Sequence, residues 1–171
     1  MKRAALLLAA LAVLPVLSGC GLRPLYSGGS AGPVAATLSR VEVAPIEGRA
    51  GWLVANALRD RLARSGDAPL YRVEVKLDDQ LTALGIRRDD TVARERRSLR
   101  ARYQLVELGK GTVVVDATAG SDISVDVVGS DYATIAAEST ALERLSDIVA
   151  DEIVARLARY ARARDPAAVQ P

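Results

Sequence analysis

The sequence predicts an α+β domain, a two-layer sandwich in which two helices pack on one face of a four-stranded, mostly antiparallel sheet (β-α-β-β-β-α). Three observations predict this fold class. Three long segments alternate between apolar and polar residues, two others repeat apolar residues at helical spacing, and polar or glycine-containing turns separate them. Sustained alternation is typical of an antiparallel sheet with one face in water.

The first strand and the first helix are predicted from the region after the N-terminal leader. Residues 38–46 favour a short strand that ends at Pro45. Residues 50–64 repeat apolar residues at intervals of four, which predicts a helix with one apolar face. That face consists of Val54, Leu58 and Leu62. Gly66 then suits a left-handed cap, so the helix is expected to end just before it.

Three further segments, residues 71–81, 94–105 and 113–127, predict long strands joined as a meander. Polar turns at residues 86–91 and 109–111 connect them. The buried faces match across the first turn only if its loop has an odd length or Gly85 forms a bulge. The predicted inward residues are Tyr71, Val73, Val75, Leu77 and Leu81; Leu99, Ala101, Tyr103 and Leu105; and Val113, Val115, Ala117, Ile123, Val125 and Val127.

The last predicted element is a long helix that Ser130 or Asp131 caps and that continues to about Arg164. Its apolar stripe comprises Ile135, Leu142, Leu145, Val149, Ile153 and Leu157. Such a helix is ~50 Å long, which matches strands of ~15 residues. The two helices are therefore expected to cover one face of the sheet along its whole length.

The N-terminus has the three parts of a secretory signal: basic Lys2 and Arg3, an apolar stretch over residues 4–17, and small residues before Cys20. The apolar stretch is too short for a membrane span of ~20 residues. The run from Leu17 to Cys20 is a bacterial lipobox. We therefore expect residues 1–19 to be cleaved and Cys20 to carry a diacylglycerol and a further acyl chain, with no other cofactor. A free or buried cysteine is the alternative, but it leaves this order of residues unexplained.

The mature chain is expected to have three parts: a lipidated, flexible tether over residues 20–37, one folded domain over 38–164, and a tail over 165–171. The tether is rich in Gly, Ser and Pro up to Pro33. The chain has 23 basic and 21 acidic residues, and loss of Lys2 and Arg3 leaves equal numbers. This balance argues against nucleic-acid binding.

The composition also argues against catalysis. The chain has no histidine and its only cysteine is the expected lipidation site. It lacks a phosphate-binding glycine loop and zinc-ligand spacing. Two of its adjacent acidic pairs, Asp78-Asp79 and Asp89-Asp90, fit opposite faces of a strand and a solvated turn. We expect no enzyme.

The steepest charge concentration lies around the second long strand. Arginines that could bind phosphates or carboxylates of an anionic partner are Arg87, Arg88, Arg94, Arg96, Arg100 and Arg102. Alternatively, Asp116, Asp122 and Asp126 of the next strand neutralise this face. Arg97 fits neither interpretation, because alternation turns it inward, and a bulge or a sheet edge would resolve it.

Three runs resemble the LptE family of lipopolysaccharide-assembly lipoproteins, closest to its alphaproteobacterial branch. They are Cys20-Gly21-Leu22-Arg23-Pro24-Leu25-Tyr26, Asn56-Ala57-Leu58-Arg59-Asp60-Arg61-Leu62, and Tyr132-Ala133-Thr134 leading into Ala136-Ala137-Glu138. The resemblance implies an outer-membrane lipoprotein that plugs an LptD barrel, supports its assembly and helps lipopolysaccharide reach the outer leaflet. It gives the arginines an anionic glycolipid to bind. Gly21, where retained lipoproteins carry aspartate, agrees with the outer membrane.

Two other functions remain open from the sequence. One is an auxiliary lipoprotein of an ABC-type lipid transport system, which would share the lipobox and an α/β domain but contact inner-membrane components. The other is a carboxylate-dependent hydrolase, which would require two acidic residues to converge in one pocket.

Overall fold

The computed structural model describes residues 29, 32–62, 66–86, 92–127 and 129–164. The strands of this part of the chain form one sheet in the order β1-β2-β3-β4, in which β1 is parallel to β2 and the other pairs are antiparallel. Helices pack on this sheet, so the predicted α+β class is confirmed. The elements are α1 (Pro33–Leu38), β1 (Val41–Val43), α2 (Gly48–Leu62), β2 (Tyr71–Ile86), β3 (Val92–Glu107), β4 (Thr112–Asp126) and α3 (Asp131–Ala163).

The strands β2 and β3 pair in one register from Tyr71↔Glu107 to Ile86↔Val92. Five residues lie between Ile86 and Val92. An odd connection keeps the two buried faces on the same side, so the register needs no bulge at Gly85. We call the end of the sheet next to residues 87–91 the loop end, and the end with Tyr71 and Glu107 the termini end.

Strand β4 contains the one irregularity between β3 and β4. Leu105 pairs with Val115 whereas Val106 pairs with Val113, so Val114 is an extra residue. Beyond this bulge Val113 turns to the outer face, where it is 49% exposed. The prediction that Val113 points inward with Val115 is therefore wrong, because a bulge reverses the alternation on one side of it.

The core lies between the inner face of the sheet and helices α2 and α3. The predicted stripe of α2 is fully buried, and so is that of α3 from Leu142 onward. The sheet contributes Val73, Leu99, Ala101, Tyr103 and Leu105 to the same core. Ile135 is an exception: it is 61% exposed, which corrects its place in the predicted core.

The unequal lengths of the two helices explain that exception. Helix α3 has 33 residues, whereas α2 has only 15 and is therefore ~22 Å long beside strands of ~50 Å. Leu81, on the inner face of β2 toward the loop end, is 45% exposed. The two helices together do not cover the whole face as predicted, since α2 is too short to reach the loop end.

The N-terminal part also differs from its prediction. Residues 33–37, expected in the tether, form most of α1, and the strand expected over 38–46 is reduced to Val41–Val43. Pro33 suits the first turn of a helix, and the buried Val34 and Leu38 attach α1 to the core. The predicted signal peptide, Cys20 and the predicted tail after Arg164 lie outside the described residues.

Side-chain contacts cap the N-terminus of α3 and join α3 to α2. Ser130 is the N-cap of α3, as predicted, and its side chain accepts a hydrogen bond from the Ala133 amide. Arg61 of α2 joins the two helices through Asp151, at 2.6 Å, and Asp147, at 3.2 Å. Its hydrogen bond with Asp151 raises the pKa of Arg61 and lowers that of Asp151.

Gly51 of α2 lies directly on the segment that leads into the helix. A Cβ at this position would lie 2.6 Å from the main-chain oxygen of Ile46 and 2.7 Å from its carbonyl carbon. Glycine to alanine normally stabilises a helix by about 1 kcal/mol. We expect Gly51→Ala to lower the free energy of unfolding instead, by about 1–2 kcal/mol, because main-chain atoms must move.

Urea denaturation of Gly51→Ala and of the unaltered protein measures this effect. Ala50→Gly, one residue earlier on the same helix, is the control and is expected to show only the ordinary propensity loss. A more stable Gly51→Ala variant would contradict the close approach of Ile46.

Candidate functional site

The arginine ladder, which we define as Arg94, Arg96, Arg100 and Arg102, lies on the outer face of the sheet. Their even positions on β3 place all four on the face opposite the helices, as alternation predicts. Arg87, Arg88 and Cys20, the other predicted site residues, lie outside the described residues. The structure therefore brings four of the six candidate binding arginines onto one surface.

Aspartates of β4 contact every arginine of the ladder. Arg94 Nε lies 2.8 Å from Asp126 Oδ1, and Arg102 Nη2 lies 3.2 Å from Asp116 Oδ2. Asp122 is shared, with Arg100 Nη2 at 3.5 Å and Arg96 Nε at 3.9 Å. These contacts are the ones expected from the alternative in which neighbouring aspartates neutralise this face.

The pair at the termini end of the ladder shows the strongest electrostatic effect. The hydrogen bond from Arg102, and then the one from Gln104, hold the pKa of Asp116 below its usual range. The same contact raises the pKa of Arg102. Asp116 therefore stays ionised to a lower pH than an isolated aspartate does.

The ladder nevertheless remains accessible. The side chains of Arg94, Arg96, Arg100 and Arg102 are 58, 49, 52 and 68% exposed. Each guanidinium has five N–H donors, and one carboxylate contact leaves several of them open. Gly120 lies opposite Arg100, and a Cβ there would come 2.5 Å from Arg100 Cδ. Glycine thus leaves room for the arginine to cross β4 toward Asp122.

Arg97 lies on the inner face and has a different role from the ladder. Its Nε and Nη2 donate to the two carboxylate oxygens of Asp79 at 2.9 and 2.6 Å, and its Nη1 donates to the main-chain oxygen of Glu138 at 3.2 Å. No irregularity of register occurs at Arg97, so the predicted bulge or sheet edge is wrong. Arg97 instead links β2 and β3 to α3.

The sequence indicated the inward position of Arg97, but not its ion pair with Asp79. Asp79, Glu95 and Arg97 all stand at inward positions of their strands near the loop end. The single positive charge of Arg97 balances only one of the two carboxylates. One Glu95 oxygen is buried without a partner among the described residues. Inward charges on adjacent strands are typical of an ion pair that a helix covers.

A second pair of arginines, Arg156 and Arg159 of α3, lines two hollows between that helix and β4, of about 440 and 350 Å³. Tyr103 lines one of them. Burial raises the pKa of the Tyr103 hydroxyl, while the nearby charge of Arg156 and then that of Arg159 act in the opposite direction. The sequence interpretation missed this pair because it treated α3 only as a carrier of its apolar stripe.

No three His, Cys, Asp or Glu side chains of the described residues converge on a point where they could hold a metal ion. No described helix combines the length and the apolar character needed to cross a membrane.

Comparison with known proteins shows that this architecture also occurs in lipoproteins. A family model described as "LptE: Lipopolysaccharide-assembly" matches residues 38–157. A putative lipoprotein from Caulobacter crescentus has a similar structure, with a TM-score of 0.67 and 27% sequence identity over 79% of this chain and 99% of that chain. None of the curated proteins compared with the chain matches it.

Two more distant structures show the same fold. Rare lipoprotein B from Shewanella oneidensis has a TM-score of 0.55 and 12% identity over 70% of this chain and 92% of that chain. A minor lipoprotein from Acinetobacter baumannii has a TM-score of 0.55 and 13% identity over 71% of this chain and 92% of that chain.

Proposed function

The chain belongs to the LptE family of lipopolysaccharide assembly, and from this premise we propose that it is a non-enzymatic outer-membrane lipoprotein that plugs an LptD-like barrel. In this role it supports assembly of the barrel and assists delivery of lipopolysaccharide to the outer leaflet. The observation that carries the proposal is the family match over residues 38–157, which begins at the end of α1 and extends into α3.

Membrane attachment is the part of the proposal that depends on Cys20. After cleavage of residues 1–19, the cysteine carries a diacylglycerol and a further acyl chain, and two or more chains hold a protein stably on a bilayer. Gly21 beside it agrees with transfer to the outer membrane. The described domain begins after the Gly- and Pro-rich segment that follows, so that segment sets its distance from the bilayer.

The outer face of the sheet supports the placement inside a barrel. The lumen of an outer-membrane barrel is polar, so a plug must present a polar surface rather than an apolar one. The cross-strand pairs of the arginine ladder give such a surface, with charges that are already largely compensated. This face can enter a polar lumen without leaving its arginines unpaired against the wall.

Co-purification tests the proposed partner. The lipidated protein is extracted in mild detergent and captured through a C-terminal tag, and a large outer-membrane barrel is expected among the captured proteins. Recovery of an inner-membrane permease or substrate-binding subunit would instead support the auxiliary role in ABC-type lipid transport. Capture of neither would overturn both functions.

The arginine ladder gives a second, independent test through glycolipid binding. We expect simultaneous replacement of its four arginines by glutamine to weaken binding to lipopolysaccharide by about tenfold, because several exposed charge contacts are lost. The free energy of unfolding is expected to change little, since the replaced ion pairs are exposed. Binding is measured at two salt concentrations, and the variant is expected to depend less on salt.

A matched control variant also loses four positive charges. In this variant glutamine replaces Arg49, Arg59, Lys110 and Arg144. This control is expected to keep most of the affinity, because its residues do not form one surface. Equal losses in both variants would show a general charge effect, and unchanged binding by the folded ladder variant would show that the face is only solvated.

A further inference from the structure

We propose that the free edge of β4, together with Arg156 and Arg159 of α3, binds an extended acidic segment of a partner protein by strand addition. This proposal concerns the edge of the sheet rather than the arginine ladder. It holds whether or not the domain plugs a barrel. It rests on the unpaired main chain of β4, the unpaired charge of the two arginines, and the space between helix and strand.

The main chain of β4 is open on one side. Within the described sheet β4 pairs only with β3 and therefore forms an edge. The Gly120 amide donates to Glu152 Oε2 at 3.0 Å, so it points away from β3. In an antiparallel strand, alternate residues point their N–H and C=O groups to the same side. Asp116, Thr118, Asp122 and Ser124 therefore also direct their main-chain groups to the free edge.

The charge beside this edge lacks a partner. Arg156 and Arg159 are exposed, and among the described residues neither makes a hydrogen bond or an ion pair with a carboxylate. The nearest acidic groups are already engaged: Glu152 accepts from Gly120, and Asp116 accepts from Arg102 and Gln104. Two positive charges thus stand beside an open strand, whereas every arginine of the ladder is paired.

The combination fits a peptide better than a phosphorylated lipid. A phosphate can accept hydrogen bonds from arginines and from main-chain amides, but it offers nothing to the outward carbonyl groups of β4. An added strand supplies both donors and acceptors. Its side chains on one face repeat every ~6.6 Å, similar to the ~5 Å helical turn that separates Arg156 from Arg159. Carboxylates at alternate positions could therefore reach both arginines within the hollows.

Glu152 competes with such a strand. Its carboxylate occupies the Gly120 amide in the middle of the free edge, and its negative charge repels an acidic segment. Release of Glu152 is therefore part of binding. It follows that substitutions on this one face of α3 have opposite effects, which a general loss of folding does not produce.

The test measures binding of a fluorescent peptide of four Thr-Glu repeats to the purified domain. Arg156→Gln combined with Arg159→Gln is expected to weaken binding by about tenfold, whereas Glu152→Gln is expected to strengthen it. Arg49→Gln combined with Arg59→Gln on α2 removes the same charge and is expected to leave binding unchanged. Equal weakening by both double variants, or weaker binding by Glu152→Gln, would overturn the proposal.

Two further measurements separate strand addition from simple charge attraction. The same peptide with N-methyl groups at alternate residues keeps its charge but loses its donors, and it is expected to bind much more weakly. Hydrogen exchange is expected to slow at the amides of Thr118 and Asp122 when the unmethylated peptide binds. Equal binding of both peptides, or displacement of the peptide by lipopolysaccharide without any amide protection, would identify an anion site instead.

A second copy of the chain is the remaining candidate that could cover the free edge of β4. Size-exclusion chromatography of the domain alone, over a range of concentrations, is expected to give a monomer. A dimer that the Thr-Glu peptide cannot dissociate would mean that a second copy, rather than an acidic partner segment, covers β4.

Discussion

Replacing Arg97 with leucine is expected to lower the free energy of unfolding by about 2–3 kcal/mol, the largest effect that we expect from a single charged residue. The side chain is 16% exposed and Asp79 is 26% exposed, so the pair is largely removed from water. Loss of the guanidinium leaves the Asp79 carboxylate without its two donors at 2.9 and 2.6 Å and removes the contact with the Glu138 carbonyl. A fully buried pair would cost more, and partial exposure reduces the effect.

A double-mutant cycle with Asp79→Leu tests this expectation by urea denaturation. The variant in which both residues are leucine is expected to recover much of the lost stability, because the Asp79 carboxylate is then no longer left without its partner. Arg94→Leu is the matched control on the outer face, where the pair with Asp126 is more than half exposed. Equal losses for Arg97→Leu and Arg94→Leu would contradict a covered ion pair.

Truncation of Leu145 to alanine is expected to have the largest effect in the core, about 2–5 kcal/mol of unfolding free energy. Leu145 is fully buried on α3, at the centre of the predicted stripe. Its removal leaves a cavity between helix and sheet that a long, straight helix cannot close. Among the helices that the structure describes, only α3 extends to the loop end, so a weakened α3 also loosens the cover of Asp79 and Arg97.

Ile148→Ala on the same helix is the control, since Ile148 is 43% exposed and is expected to lose well under half as much stability. Thermal and urea unfolding of both variants gives the comparison. Similar losses at the two positions would mean that α3 is not oriented as the structure shows.

Much of the fold was predictable because long elements carry strong periodic signals. The alternation in β2 and β3 and the four-residue spacing in α2 and α3 each define one buried face, and the structure confirms them. The errors lie where local pattern does not decide the outcome. Val113 is reversed by a bulge, Leu81 and Ile135 are exposed because α2 is short, and α1 replaces part of a predicted tether.

The sequence predicted which arginines lie on the outer face of the sheet, but not which aspartates they contact. Alternation placed the four ladder arginines on the wet face, and the structure agrees. Which aspartate each arginine contacts depends on register, which neither strand reveals by itself. The role of Arg97 could be predicted only by knowing that a helix covers Asp79. The position of Arg156 and Arg159 could be predicted only by knowing that α3 lies against the free edge of β4. These are relations between elements that sequence spacing does not contain.

The order of strands has a consequence for the kinetics of folding. The strands β2, β3 and β4 pair with their immediate neighbours in sequence, so their contacts require only short loops to close. The parallel pairing of β1 with β2 instead closes a connection of 27 residues that includes α2, and longer closure costs more chain entropy before any contact forms. The meander is therefore expected to form first, and the three-residue β1 joins it as a late step that completes the native state.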